Sequence, residues 1–429
     1  MKVQILESIG DAQFALMDLP KSAEAYEAAA SHAAQAGLKT AQVHALICAM
    51  HPLGFFQPAK GLALLEQAVK MSLSLGDPLL TARVQMLTAS CRLGFDEWRR
   101  EDHDLSRAAK ETMHHLGDPG TDPFDQIIYG HFLALCGDYQ EALEILDASA
   151  RRSDHGIRLI PYFGTLSGTT LALLRLGQLG KVLRITRERR EFTEDNRARY
   201  WMLSIREAWL RILALDREGA LRICQSVLDA SVGFQPTQVL IVASIAAGYV
   251  ELDRGQYRQA IKHFDRVLHP EVPKKFFLHW MWRLMAQLET ANAWLLWGKL
   301  RNARAAADGF LKAALSTAEP HLQALAWEQQ ARLAMAENAL KQAREAVQNA
   351  LPIVDKFEIL VARWQVHATA WELSGKVKDH QTAEAHRRLA ENSILAIADS
   401  FEPDEPLRAT FLVAPPVRRI LESMRAAKA

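Results

Sequence analysis

Gly255 to Leu268 reads GQYRQAIKHFDRVL. Tyr257, Ala260, Ile261, Phe264, Val267 and Leu268 recur at helical spacing and make one apolar stripe. Pro236 to Leu252 reads as a second apolar helix, and Asp253-Arg254-Gly255 supplies a tight turn between the two. Small residues at Gly248 and Ala260 let two antiparallel helices approach closely, and Phe264 fills the hole between them. The stretch predicts one helix–turn–helix unit.

Gly248, Gly255, Ala260 and Phe264 occupy the small, turn-glycine, alanine and aromatic positions of the tetratricopeptide repeat. The rest of the chain registers against this unit. Gly130, Gly137 and Ala142 repeat its spacing around CGDYQEAL. Later turns keep Gly177, Ala208 with Ala220, Gly298 with Ala303, and Asn338 with Ala343, while Val182 and Leu215 depart from the pattern. A lengthened turn is expected before Ala383, and a charged linker, DEWRREDHD, inside the third unit. The second-helix markers 142, 182, 220, 260, 303, 343 and 383 step by 40, 38, 40, 43, 40 and 40 residues. That exceeds the usual step of about 34 and implies longer helices or loops and a wider superhelix. A lone hairpin is marginal in water, so stacking must stabilise each one. The expected fold is all-α, an α-solenoid of antiparallel hairpins forming a tetratricopeptide-like right-handed superhelix. About ten hairpins fill residues 1–398, with a weak joint near 117–123, and 399–429 form a proline-rich segment and a capping helix.

With 51 basic and 50 acidic residues the formal charge is +1, which gives no support to a nucleic-acid or membrane-surface role. The start, MKVQILESIGDAQFALMDLP, does not read as a signal peptide. No apolar run reaches the ~18–20 residues of a spanning helix. Cys48, Cys91, Cys136 and Cys224 lie far apart without a CxxC pair, so they read as buried thiols in a reducing cytoplasm.

Motifs for chemistry are missing. There is no phosphate-binding loop, no HExxH, no GxSxG and no dinucleotide fingerprint. Glu101-Asp102-His103-Asp104 has metal-ligand composition, but adjacent residues splay around a helix, and a solvated linker or helix cap explains them. The chain therefore reads as no enzyme, with no cofactor and no metal. First helices of such hairpins line the concave face, where polar and aromatic residues stand out: Tyr129, Tyr162, Tyr200, Arg206, Gln238, His279, Trp282, Arg283 and Gln323. This mixture suits a peptide or compact ligand. The run Phe276 to Arg283, FFLHWMWR, is the most unusual local composition and reads mainly as packing, with His279, Trp282 and Arg283 as groove candidates.

The repeats, GDYQEAL, AAGYVELDRGQYRQAIKHF and the tail SFEPDEPLRATFLVAPPVRRIL resemble the C-terminal helical-repeat region of bacterial multidomain signalling ATPases, broadly like the maltose-regulon activator. That resemblance implies a sensor which receives a small molecule or partner protein and controls a linked or separate ATPase and effector domain. This sequence holds neither domain, so the expectation is a detached module or a fragment. Three functions follow: a binding and regulatory module for a protein or peptide segment, the sensor arm of such an ATPase, and an all-helical enzyme with its site in the groove.

Overall fold

A computed structural model describes residues 1–16, 18–118, 123–153, 159–190, 197–230, 237–269 and 277–428, with side chains except at 15, 123–124, 152–153, 159–166, 197–199 and 424–428. The described residues form helices and turns only. The first hairpins are α1 (Lys2–Ala15) with α2 (Leu19–Gln35), α3 (Lys39–Phe56) with α4 (Pro58–Leu75), α5 (Pro78–Phe95) with α6 (Arg100–His115), and α7 (Pro123–Cys136) with α8 (Tyr139–Ser153). Next come α9 (Leu159–Arg175) with α10 (Leu179–Arg190), α11 (Arg197–Leu213) with α12 (Arg217–Ala230), and α13 (Thr237–Asp253) with α14 (Tyr257–Leu268). The last are α15 (His279–Leu296) with α16 (Leu300–Leu315), α17 (Pro320–Ala336) with α18 (Leu340–Phe357), and α19 (Leu360–Lys376) with α20 (His380–Ala398). The tail holds α21 (Pro406–Val413) and α22 (Pro415–Lys428). Ten hairpins and a helical tail make an all-α solenoid of the tetratricopeptide type.

The chain divides into two compact units: Met1–Thr169 with Pro273–Trp280, and Thr170–Val272 with Met281–Ala429. Of the joint expected near 117–123, residues 119–122 lie outside the described residues. In the first unit, α5 ends at Phe95, and Leu278 N and Trp280 Nε1 donate to its last carbonyls, Gly94 O at 2.6 Å and Leu93 O at 2.7 Å. Phe277 packs on Phe95 and His131. Half of the charged linker expected after α5 is helix, because α6 starts at Arg100 with Glu101 and Asp102 in its first turn.

The repeat register is visible as burial. Ala142, Ala220, Ala260, Ala303 and Ala343 are fully buried between helices, with Val182 and Ala383 nearly so. A Cβ on Gly248 would collide with the Phe264 ring, so this glycine sets the α13–α14 distance. In the second unit each hairpin turn contains one left-handed residue: Gly177, Leu215, Gly255, Gly298, Asn338 and Lys378. At Gly255 its amide donates to Leu252 O (3.0 Å) and the next amide to Glu251 O (2.8 Å), which closes the C-terminus of α13. Lys378 stands five residues before Ala383, as Gly255 does before Ala260. The tenth turn is therefore of ordinary length, contrary to the sequence expectation. α21 and α22 pack on α20.

Candidate functional site

The sequence candidates fall at separate places. Tyr129, on α7 of the first unit, is buried and stacked on Phe132, with Lys110 Nζ 5.5 Å over its ring. Burial pushes its phenol up to about 12. The Tyr162 side chain lies outside the described residues. Tyr200 is half-buried on α11 under the Arg190 guanidinium. Arg206 is buried, and desolvation lowers its guanidinium to about 10. Gln238 is half-buried near the start of α13. His279 is buried, and Trp282 is buried against Trp209 at 5.0 Å between ring centres.

Arg283 and Gln323 do share a register position, and Arg363 joins them at the same 40-residue step. Each reaches back to the end of the preceding second helix. Arg283 Nη1 donates to Leu268 O at 3.3 Å, Gln323 Nε2 donates to Thr317 O at 2.7 Å, and Arg363 Nη2 stands 3.4 Å from Asp355. Helix C-termini carry unpaired carbonyls and partial negative charge, so donors there fasten one hairpin to the next.

A second column is the more continuous one. Six residues before the left-handed turn residues from Leu215 onward stand Trp209, Tyr249, Asn292, Arg332 and Glu372, one on each of α11, α13, α15, α17 and α19. The shared register puts them on the same side of successive first helices. Tyr249 Oη donates to Glu289 Oε1 at 2.6 Å, and Asn292 Nδ2 donates to Glu289 Oε2 at 3.1 Å. Arg332 Nη1 then donates to Asn292 Oδ1 at 2.8 Å. Arg332 Nε lies 3.8 Å from Glu328 Oε1, which also accepts from Thr369 Oγ1 at 2.6 Å. At one end the Arg217 guanidinium covers the Tyr249 ring at 4.6 Å, and at the other Glu372 pairs with Arg419 of α22. Burial pushes the Glu289 and Glu328 carboxyls up, against the pull of Arg332 and their hydrogen bonds. The carboxylates lie deep while Asn292 and Arg332 remain half-open. The strip therefore presents an amide, a guanidinium and a phenol edge, groups that bind peptide carbonyls, amides and carboxylates.

The neighbouring contact at the start of the second unit is buried throughout. Arg175 Nε and Glu319 Oε1 stand 2.8 Å apart, each side chain 1% exposed. Glu319 Oε2 also caps α17 by accepting from Leu322 N at 2.6 Å. Arg175 contacts Met281 Sδ and lies 5.3 Å over the Trp209 ring.

The Glu101–Asp104 group does not converge. Asp102 accepts from Arg92 at 3.2 Å, while His103 pairs with its neighbour Asp104 at 2.8 Å. Among the described residues no three His, Cys, Asp or Glu side chains are arranged to hold a metal ion, and no helix is long and apolar enough to cross a membrane. Elsewhere in the first unit, α4, α5 and α6 border an open cleft of about 370 Å³ whose lining includes Glu66, Val69 and Leu105. Lys70, Gln85, Thr88 and Arg92 face it, and the Thr88 hydroxyl is buried with no hydrogen-bond partner among the described residues.

No family model and no curated protein matches the chain. Solved structures do. One, a Rap protein complexed with Competence and Sporulation Factor, aligns at TM-score 0.56 and 13% identity, over 85% of this chain and 99% of that one. Another, the APC/C hetero-tetramer Cut9–Hcn1, aligns at TM-score 0.51 and 11% identity, over 98% and 97%. The likeness covers nearly all of the chain and defines its class as a tetratricopeptide-like helical-repeat protein. At these identities it speaks for the fold alone.

Sequence reading missed Asn292, Arg332, Glu289 and Glu328. The usable signal was the turn column. Counting six residues back from Gly298 and Asn338 finds Asn292 and Arg332, whereas Glu289 and Glu328 stand nine and ten back and are not marked by the count.

Proposed function

We propose that the chain is a non-catalytic binding and regulatory module that holds an extended segment of a partner protein along the first-helix strip of the second unit. The observation that carries this reading is the unbroken run Tyr249–Glu289–Asn292–Arg332–Glu328–Thr369, which links four successive first helices by side-chain contacts. The ladder places one polar rung on each of four successive repeats. Buried carboxylates hold Arg332 and Asn292 in place, so little rotamer entropy is lost on binding. A signalling role, with a separate or covalently linked ATPase or effector domain as partner, draws its support from the repeat and tail motifs. A reducing, cytoplasmic setting draws its support from four free thiols, three of them buried.

The test is capture of partners from the source cell extract by the intact chain and by an Asn292→Ala/Arg332→Ala variant. A protein retained by the first and lost from the second supports the strip. Equal retention removes it.

A second reading, a small-molecule effector, has its own observation in the α4–α6 cleft, whose volume suits a compact ligand and whose Thr88 hydroxyl has no partner among the described residues. A metabolite that co-purifies with the chain and is lost from Thr88→Val would move the effector there.

A further inference from the structure

α10 meets the tail of its own chain, more than two hundred residues later in sequence. Arg184 Nη1 donates to Glu402 Oε1 at 2.8 Å, and Arg187 forks onto both oxygens of Glu405 at 2.6 and 3.2 Å. Gly180 N donates to Ser400 Oγ at 2.9 Å, and a Cβ on Gly180 would collide with the Ser400 carbonyl. Close backbone approach is thus built into the start of the helix.

The geometry on each side is specific. Arg184 and Arg187 are three residues apart and share one helix face. Glu402 and Glu405 are also three apart, on a turn closed by Glu405 N to Glu402 O at 3.1 Å with Pro403 second in it. Proline in that position presets the turn, so the two carboxylates are held ready for the two guanidiniums. Glu405 caps α21 as well, through Leu407 N. Phe401 beside the turn is buried and the Glu405 side chain is 11% exposed, whereas the Arg184, Arg187 and Glu402 side chains are 49%, 51% and 67% exposed. This is a short acidic turn docked on a cationic helix face, open to water along its rim. Such pairs are individually weak and screened by salt, so the occupant can be exchanged.

We propose that α10 is a receptor face for acidic turns, filled in cis by Ser400–Glu405, and that a partner segment with two carboxylates three residues apart beside a proline displaces it. The inference stands apart from the first-helix strip, and neither depends on the other.

The probe is a fluorescent copy of residues 398–408, ADSFEPDEPLR. It is titrated against the full chain and a Glu402→Arg/Glu405→Arg variant that repels its own tail. The variant is expected to bind the probe at least about tenfold more tightly than the unaltered chain, with binding lost in high salt. Adding Arg184→Glu/Arg187→Glu is expected to abolish probe binding and restore slow amide exchange in the tail, because the reversed pairs attract. Absence of probe binding to the folded variant, or binding indifferent to residues 184 and 187, overturns the proposal. If the charge reversal fails to fold, Arg184→Gln/Arg187→Gln in the otherwise unaltered chain decides it. Amide exchange over residues 398–408 then rises about tenfold if the tail is released, and stays unchanged if the proposal is wrong.

Discussion

Two seams in the second unit join the stretch 175–187 to distant parts of the chain, and they are built from the same side chains. Arg175–Glu319 is sealed on every side: both groups are 1% exposed, Glu319 also caps α17, and Trp209 and Met281 complete the guanidinium's surroundings. Arg184–Glu402 stands half in water or more, and Arg187–Glu405 is open on its arginine side while the Glu405 carboxylate is largely covered. Taking two charges out of water costs several kcal/mol per ion, so the buried pair fixes one geometry and penalises every other. The surface pairs gain little and forbid little. One seam fixes Arg175 against the start of α17 within the second unit; the other can be exchanged without disturbing it.

The sharpest way to break this contrast is Glu319→Ala. It leaves the Arg175 charge buried and the start of α17 uncapped, and should cost about 3–5 kcal/mol in urea unfolding. A loss below about 1 kcal/mol would mean the pair is no more than a surface contact. Arg175→Met with Glu319→Leu should recover most of that loss, since it removes both charges together.

Burial also sets a pH response. His367, hydrogen-bonded to His386 at 3.0 Å between the two Nδ1 atoms, is held near 3 by desolvation, then by the charges of His386 and Arg363. Its folded value lies below the ordinary 6.5, so the unfolded chain takes up the proton first as pH falls. Its contribution is complete above about 6.5 and declines below it, by at most about 1.4 kcal/mol per pH unit. Glu289, Glu319 and Glu328 are raised by burial and work in the opposite direction. The comparison is therefore with His367→Gln, in which those carboxyls are unchanged. The stability difference between the two chains should shrink from pH 7 to pH 5; a constant difference contradicts neutral burial of His367.

Backbone strain gives a smaller effect. Lys378 has φ 61° where the equivalent turn carries Gly255. Lys378→Gly should stabilise by about 1 kcal/mol, and Gly255→Ala should destabilise by a similar amount. Thermal melts compare them directly. Smallest is Arg187→Ala, expected to cost about 0.2–1 kcal/mol and to become undetectable in 0.5 M salt.

The hairpins were legible because each depends on local pattern. Ala260, Phe264 and Gly255 announce one unit, and a 40-residue count finds the rest. Even Leu215, a poor turn residue by type, falls in its turn by register. Composition misled at the charged stretch after Phe95, where acidic residues belong to the first turn of a helix, and at the tenth turn, where Lys378 does what glycine does elsewhere. The site was harder to see. Arg283 and Gln323 look like groove residues by type, and the structure adds that each places one donor on the end of the preceding second helix. Glu289 and Glu328 look like ordinary surface acids in sequence, and only packing between successive first helices shows that they are buried and anchor Asn292 and Arg332. Contacts such as Arg175–Glu319 and Gly180–Ser400 span separations that no repeat count encodes.

Site-specific photo-crosslinking tests the central claim most directly. A photoreactive residue replaces Asn292 on the first-helix strip or, in a second version, exposed Arg344 on the second helix α18. In the source cell extract, the account predicts a discrete covalent adduct from position 292 and none from 344. Adducts of the same protein from both positions, or from 344 alone, would contradict a partner held along the strip.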